Sequence, residues 1–137
     1  MEVVANKEVL DPQGHIKLSV TDFAKSQCFY RELFDQLGYT PIANSELSVA
    51  WVTPNGLGIW IAPVEVTDYP YRHGAAGLHH LCVKATSTEQ VDAIHSFIVA
   101  KDMVILASPK RYPEYTADYY AVFFADPDGL KLEVAYY

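Results

Sequence analysis

The sequence is poor in cysteine, in basic residues and in long apolar segments, and each shortage excludes a class of protein. Cys28 and Cys82 are the only cysteines among 137 residues, too few for a disulfide scaffold, so we expect buried, reduced thiols in a cytoplasmic protein. Ten basic residues against 17 acidic ones give a net charge of -7. That balance argues against nucleic acid or an acidic membrane as a partner, because both are polyanions. No apolar run approaches the roughly 18 residues that span a bilayer.

The overall composition is typical of a folded domain. Half of the residues are hydrophobic and 20% are charged, which favours a single domain over residues 1–137 with a core of its own. Glu2, Lys7 and Glu8 place charges at the start of the chain, so we expect no signal peptide there.

The first half of the chain, residues 14–62, has the pattern of a strand, a helix and three further strands. Ile16, Leu18 and Val20 alternate with polar residues, which predicts a strand with one apolar face. Asp22 is placed to cap a helix whose apolar residues recur at helical spacing. The expected strands are 14–20, 39–42, 47–53 and 56–62, with the helix between the first two.

The second half, residues 78–137, repeats this order after a linker over 63–77. Ser87 and Gln90 resemble a capping box at the start of a second helix. The expected strands are 78–85, 103–107, 119–124 and 130–136. Two βαβββ modules predict an α+β fold in which the helices cover one face of the sheets and leave the other face for a ligand.

Strand alternation places three potential metal ligands on the face that the helices leave uncovered. His15 and His80 occupy equivalent positions at the start of the two modules, and Glu133 alternates with Leu132 and Val134 in the last strand. Two imidazoles and one carboxylate form a facial set that binds a divalent metal and leaves positions open for a substrate. Taken singly, each is as readily a structural histidine or a solvated acid, so the prediction depends on their shared parity.

Two other histidines receive a different interpretation. By the same alternation His79 points to the helix side and is structural, unless a slip of one residue in register exchanges it with His80. His73 lies in the linker, where a solvated side chain is the ordinary expectation.

Two motifs carry a family resemblance. Each module opens with His-[Ile/Leu]-x-[Leu/Val], at His15 and His80, and residues 126–133 read DPDGLKLE. This pattern resembles the vicinal oxygen chelate superfamily, which includes glyoxalase I, bleomycin-resistance proteins, extradiol dioxygenases, methylmalonyl-CoA epimerase and fosfomycin-resistance transferases. The resemblance implies a cupped, eight-stranded mixed sheet with the helices on its outer face. It also implies one divalent metal ion (Fe, Mn, Ni, Co or Zn) on His15, His80 and Glu133, a small-molecule ligand and a homodimer. The two modules pair either within one chain or across this dimer, and in the second arrangement His15 joins His80 and Glu133 of another subunit.

Departures from the family pattern disfavour some of the reactions that the family catalyses. Trp60 stands where glyoxalase-like and epimerase-like relatives have a fourth ligand, which disfavours glyoxalase I activity, whereas fosfomycin-resistance relatives do have a tryptophan at this place. Extradiol dioxygenases would have a tyrosine at the position of Phe123 and a histidine near 114–116. The acid–base group of that reaction is therefore absent or replaced.

Aromatic residues are the expected lining of a ligand pocket. We expect Trp60, Tyr115, Tyr119 and Tyr120 to contribute, although strand alternation alone would also place half of the tyrosines in the core. If the protein is an enzyme, Glu114 is the candidate general base.

Three functions stay open from the sequence. In an enzyme, the metal would bind two oxygens of a small substrate and act as a Lewis acid. In a binding protein of the bleomycin-resistance kind, the same pocket would sequester a drug or metabolite without turning it over. A fosfomycin-resistance-like thiol transferase is the third. Retention of all three ligand types favours the enzyme, and the missing acid–base partner favours the binding protein.

Overall fold

The structure, a computed structural model, describes residues 13–137, in which a strand, a helix and three strands occur twice in succession. The first set is β1 (His15–Val20), α1 (Phe23–Gln36), β2 (Thr40–Asn44), β3 (Val49–Val52) and β4 (Gly58–Pro63). The second set is β5 (Leu81–Lys84), α2 (Thr88–Ala100), β6 (Val104–Arg111), β7 (Tyr120–Ala125) and β8 (Lys131–Tyr136). The predicted α+β fold with a βαβββ repeat is thus confirmed.

Each set of strands forms a four-stranded mixed sheet of its own. The strand order is β1-β4-β3-β2 in the first sheet and β5-β8-β7-β6 in the second. The first strand of each set runs parallel to its neighbour, and the other pairs are antiparallel. The parallel pairs place His15 beside Gly58 and Cys82 beside Glu133. Equivalent edges of the two sheets therefore carry the candidate ligands.

Both helices begin at the predicted caps. The Asp22 carboxylate accepts a hydrogen bond from the backbone N–H of Lys25 at 3.1 Å, and the Ser87 hydroxyl accepts one from the backbone N–H of Gln90 at 3.0 Å. Each bond satisfies a donor that the first helical turn leaves free. The helices contain 14 and 13 residues, and no helix in the described part of the chain is long and apolar enough to cross a membrane.

One hydrophobic core joins the two sheets. Its buried residues come from both helices and from one side of each sheet. Helix α1 contacts both sheets, since the ring centroids of Phe34 and Trp51 of β3 lie 5.1 Å apart and the Tyr30 hydroxyl donates to Asp126, after β7, at 2.5 Å. Because successive strand residues point to opposite faces, each sheet keeps a second, helix-free face outside this core.

Candidate functional site

Glu133 is a buried carboxylate on the helix-free face of the second sheet. Leu132 and Val134, its neighbours on β8, belong to the core, and Glu133 itself is only 3% exposed. A buried carboxylate is costly unless it is paired and hydrogen-bonded. The Tyr119 hydroxyl donates to Oε2 at 2.5 Å, and Nε2 of His80 lies 3.2 Å from Oε1. The His80 side chain is 34% exposed, so the pair is reachable from outside.

Two weak acids beside Glu133 stay protonated. Burial, and then the hydrogen bond to Glu133, raise the pKa of the Tyr119 hydroxyl far above its usual value. Burial, followed by the charge of Glu133, raises the pKa of the Cys82 thiol to about 12. Both groups therefore face the carboxylate as neutral side chains at physiological pH.

The expectation of two buried thiols is wrong for Cys28. Its side chain is exposed on α1, with Sγ 3.8 Å from a carboxylate oxygen of Glu32 one turn later. Cys82 is partly buried. Its position beside Glu133 was not predicted, although the alternation of residues in the strand indicates it. Cys82 alternates with Leu81 and Val83, so it lies on the same face as the carboxylate.

The histidines near Glu133 form a group that strand alternation did not predict. Strand β5 begins at Leu81, so His79 and His80 precede it and do not alternate. Their Nδ1 atoms lie 2.8 Å apart, and the ring centroid of His73 lies 4.5 Å from that of His79. Partial desolvation, followed by the charges of His73, His80 and Lys131, lowers the pKa of the exposed His79. The structure thus corrects the prediction that His79 points to the helix side.

His15 and Trp60 lie together on the helix-free face of the first sheet. His15 pairs with Gly58 in register, and Trp60 follows two residues later on β4. A Cβ atom at position 58 would come 3.0 Å from the His15 Cβ and 3.3 Å from the Trp60 Nε1. A glycine at this position therefore permits the imidazole and the indole to flank the same point of the strand.

The four predicted pocket residues are divided between different places. Tyr115 and Tyr119 contact each other, with ring centroids 5.1 Å apart, on the Glu133 side. Tyr120 does not belong there: its ring packs against the main core and its hydroxyl donates to Asp92 of α2 at 2.5 Å. The physical reason is parity, because Tyr120 opens β7 on the same face as Val122 and Phe124.

Glu114, the predicted general base, is exposed in the loop between β6 and β7. Tyr119 and His80 contact the Glu133 carboxylate instead. The acid–base role expected for Glu114 thus has no contact that supports it in the described structure.

A single chain brings together two of the three expected metal ligands. His80 and Glu133 are adjacent, whereas His15 lies on the other sheet. The described residues contain no group of three His, Cys, Asp or Glu side chains that could hold a metal ion. Since protein metal sites ordinarily supply three or more ligands, one chain by itself does not fit the expected metal.

Known proteins resemble this chain over nearly its whole length. Residues 13–134 match the family model of the Glyoxalase/Bleomycin resistance protein/Dioxygenase superfamily. Uncharacterized protein YqjT of Bacillus subtilis (strain 168) is 31% identical over 122 residues, which cover 88% of this chain and 94% of that protein.

Solved structures give the same result. A glyoxalase/bleomycin resistance protein from Albidiferax ferrireducens T118 is 26% identical with a TM-score of 0.72, covering 90% of this chain and 97% of that one. The genomically encoded fosfomycin resistance protein FosX from Listeria monocytogenes shares the fold, with a TM-score of 0.71 at 19% identity over 94% and 95% of the two chains. With two βαβββ sets, a shared core and these matches, the chain belongs to the Glyoxalase/Bleomycin resistance protein/Dioxygenase superfamily.

Proposed function

We propose that the protein is a divalent-metal-dependent enzyme that acts on a small molecule through two of its oxygen atoms. In this proposal the metal is held by His80 and Glu133 of one copy and by His15 of a second copy, in a homodimer. The observation that carries the proposal is the incomplete site, a buried carboxylate beside a partly exposed imidazole. The matching imidazole stands at the equivalent edge of the other sheet.

The helix-free face of the first sheet supports a second copy as the missing part. Leu47, Val66 and Tyr69 are 79%, 58% and 85% exposed. They border an open groove of about 880 Å³ that also includes side chains of β1. Apolar side chains gathered at one exposed place mark a binding surface. In the proposed dimer a second copy covers this face of the first sheet, which also carries His15 on β1.

When bound, the metal supplies a Lewis acid that holds two substrate oxygens and stabilises negative charge on them. Side chains around Glu133 limit the movement of this metal ligand. Tyr119 donates to one oxygen of Glu133 while His80 lies at the other, so the carboxylate has little freedom to rotate. Phe123 pairs with Glu133 across β7 and β8 and is 8% exposed. It shields the carboxylate from water on that side.

A binding protein without turnover is the second candidate. The position of Glu114 favours it, because the residue expected to move protons is exposed and lies away from the contacts of Glu133. Product formation from any ligand would exclude this candidate. Ligand binding by the metal-loaded protein with no product would instead exclude the enzyme.

Metal analysis tests the proposed site. We expect untagged protein, purified without chelator, to bind about one divalent ion per chain, and His80→Ala and Glu133→Gln to lose it. His95→Ala is the matched control, because His95 lies on α2. Equal metal content in the wild type and in both site variants would overturn the proposal, as would failure of the wild type to bind any divalent ion on titration.

A further inference from the structure

A pocket next to Glu133 is lined by aromatic and basic side chains that the proposed metal site does not use. Its volume is about 410 Å³, within the range of small-molecule sites. Tyr112, Tyr115 and Phe123 supply its aromatic walls, and Lys131 reaches it from β8. Phe123 is the cross-strand neighbour of Glu133, and Lys131 precedes Glu133 by two residues on the same face. A ligand in this pocket therefore lies beside the proposed metal position.

The pocket contains a lysine ammonium within an acidic protein. The chain carries 17 acidic residues, yet the described residues that line the pocket include Lys131 and His73 and no Asp or Glu. The Lys131 Nζ lies 4.5 Å from the centroid of the Phe123 ring. An ammonium held over an aromatic face is partly desolvated. It is therefore well placed to form a charge-assisted hydrogen bond with an anion.

The aromatic walls are flat and meet at a right angle. The rings of Tyr112 and Tyr115 are stacked, with centroids 5.3 Å apart and planes 7° apart, and Phe123 stands edge-on to Tyr112 at 81°. Tyr115 is nevertheless 58% exposed. An exposed ring at the mouth of an aromatic pocket is accessible to a ligand, and a planar ring is the ligand that stacks on it best.

We infer that the pocket selects a planar aromatic molecule bearing a carboxylate. The ring lies among Tyr112, Tyr115 and Phe123, the carboxylate pairs with Lys131, and the far side of the molecule is turned towards Glu133. Alternate residues of a strand lie roughly 6.6 Å apart, a separation that one substituted ring bridges. The inference rests on the proposed function in naming the substrate class of the same site, but the pocket is built by one chain and requires no metal.

Ligand binding by the full-length protein tests the inference, with benzoate as the probe. Benzamide serves as its neutral counterpart and cyclohexanecarboxylate as its non-aromatic counterpart. By calorimetry or ligand-observed NMR, we expect benzoate to bind more tightly than either, both before and after treatment with chelator. Lys131→Met should weaken benzoate about tenfold and leave benzamide unchanged. Lys25→Met, which removes an equal charge from the exposed side of α1, should change neither.

Tyr115→Ala provides a second variant, since an exposed loop residue is replaced without loss of the core. It should weaken benzoate more than cyclohexanecarboxylate. Benzoate binding that Lys131→Met leaves unchanged, equal binding of all three probes, or loss of benzoate binding on chelation would each overturn the inference. Because the metal content is measured separately, an unsuccessful metal titration with intact, Lys131-dependent benzoate binding would reject the proposed function and keep the pocket assignment.

Discussion

The Tyr119 hydroxyl donates a hydrogen bond to the buried Glu133 carboxylate. Tyr119→Phe removes this donor and keeps the ring. We expect the variant to lose about 1–3 kcal/mol of unfolding free energy and to bind metal about 10–100-fold more weakly. Urea denaturation and competitive metal titration measure the two effects.

Tyr115→Phe is the control for this change, because it removes an exposed hydroxyl from the same aromatic group. It should alter neither quantity. Equal effects of the two variants would show that the Tyr119 hydroxyl does not position Glu133.

Single residues also show where reasoning from the sequence succeeds and where it stops. Alternation put Glu133 outside the core, since β8 is regular throughout. Alternation along β7 also places Tyr120 on the helix side, where its hydroxyl donates to Asp92. It could not place His79, because β5 begins two residues later. Alternation holds only where the backbone is extended.

At the scale of the secondary-structure elements, the contact between β1 and β4 depends on Gly58. A Cβ there would come 3.0 Å from the His15 Cβ, so Gly58→Ala forces the two strands or the imidazole to shift. We expect a loss of about 1–3 kcal/mol of unfolding free energy and a change in the NMR shifts of the His15 ring.

Gly14→Ala is the matched control, because a Cβ at Gly14 would meet no atom within 4 Å. Unchanged NMR shifts of the His15 ring in Gly58→Ala would contradict this expectation, because the extra methyl group would then fit without moving the imidazole.

The element boundaries were predictable to different degrees. The caps at Asp22 and Ser87 were visible because a polar side chain precedes an apolar helical pattern. The length of β6, which continues to Arg111, was not. Its irregular register against β7 breaks the regular alternation by which a strand is recognised in sequence.

At the scale of the whole molecule, Tyr30 and Asp126 connect the first helix with the turn before β8. They are 96 residues apart in sequence, and both are buried. Burial raises the pKa of Asp126, while the hydrogen bond from Tyr30 acts in the opposite direction. The Asp126 carboxyl group therefore binds its proton more tightly in the folded chain than in the unfolded chain.

A raised carboxyl pKa in the folded state fixes the sign of the pH dependence. Asp126 adds stability as the pH falls through the raised folded value towards the unfolded value of about 3.9, and this stability is lost as the pH rises. The unfolding free energy of the wild type, relative to Asp126→Asn, should thus increase when the pH is lowered from 7 to about 4. Urea denaturation at both pH values measures it, and a decrease would contradict the assignment.

The sequence predicted the fold of one chain better than the composition of its site. Alternation correctly places His15 and Glu133 on strand faces outside the core. It does not determine which two sheets bring these side chains together. In one chain the core holds the helix sides of both sheets together, and the described residues form no complete metal group. The proposed completion by a second copy would be a property of the assembly, which strand periodicity does not encode.

The most direct measurement of the proposed shared site is metal binding by two defective chains produced together. His15→Ala and His80→Ala should each bind no metal alone. Co-expressed with distinguishable tags and purified as a mixed dimer, they should regain metal. In that dimer one site combines the intact His15 of the second variant with the intact His80 and Glu133 of the first. A mixed dimer that stays free of metal while the wild type binds it would contradict a site shared between two copies.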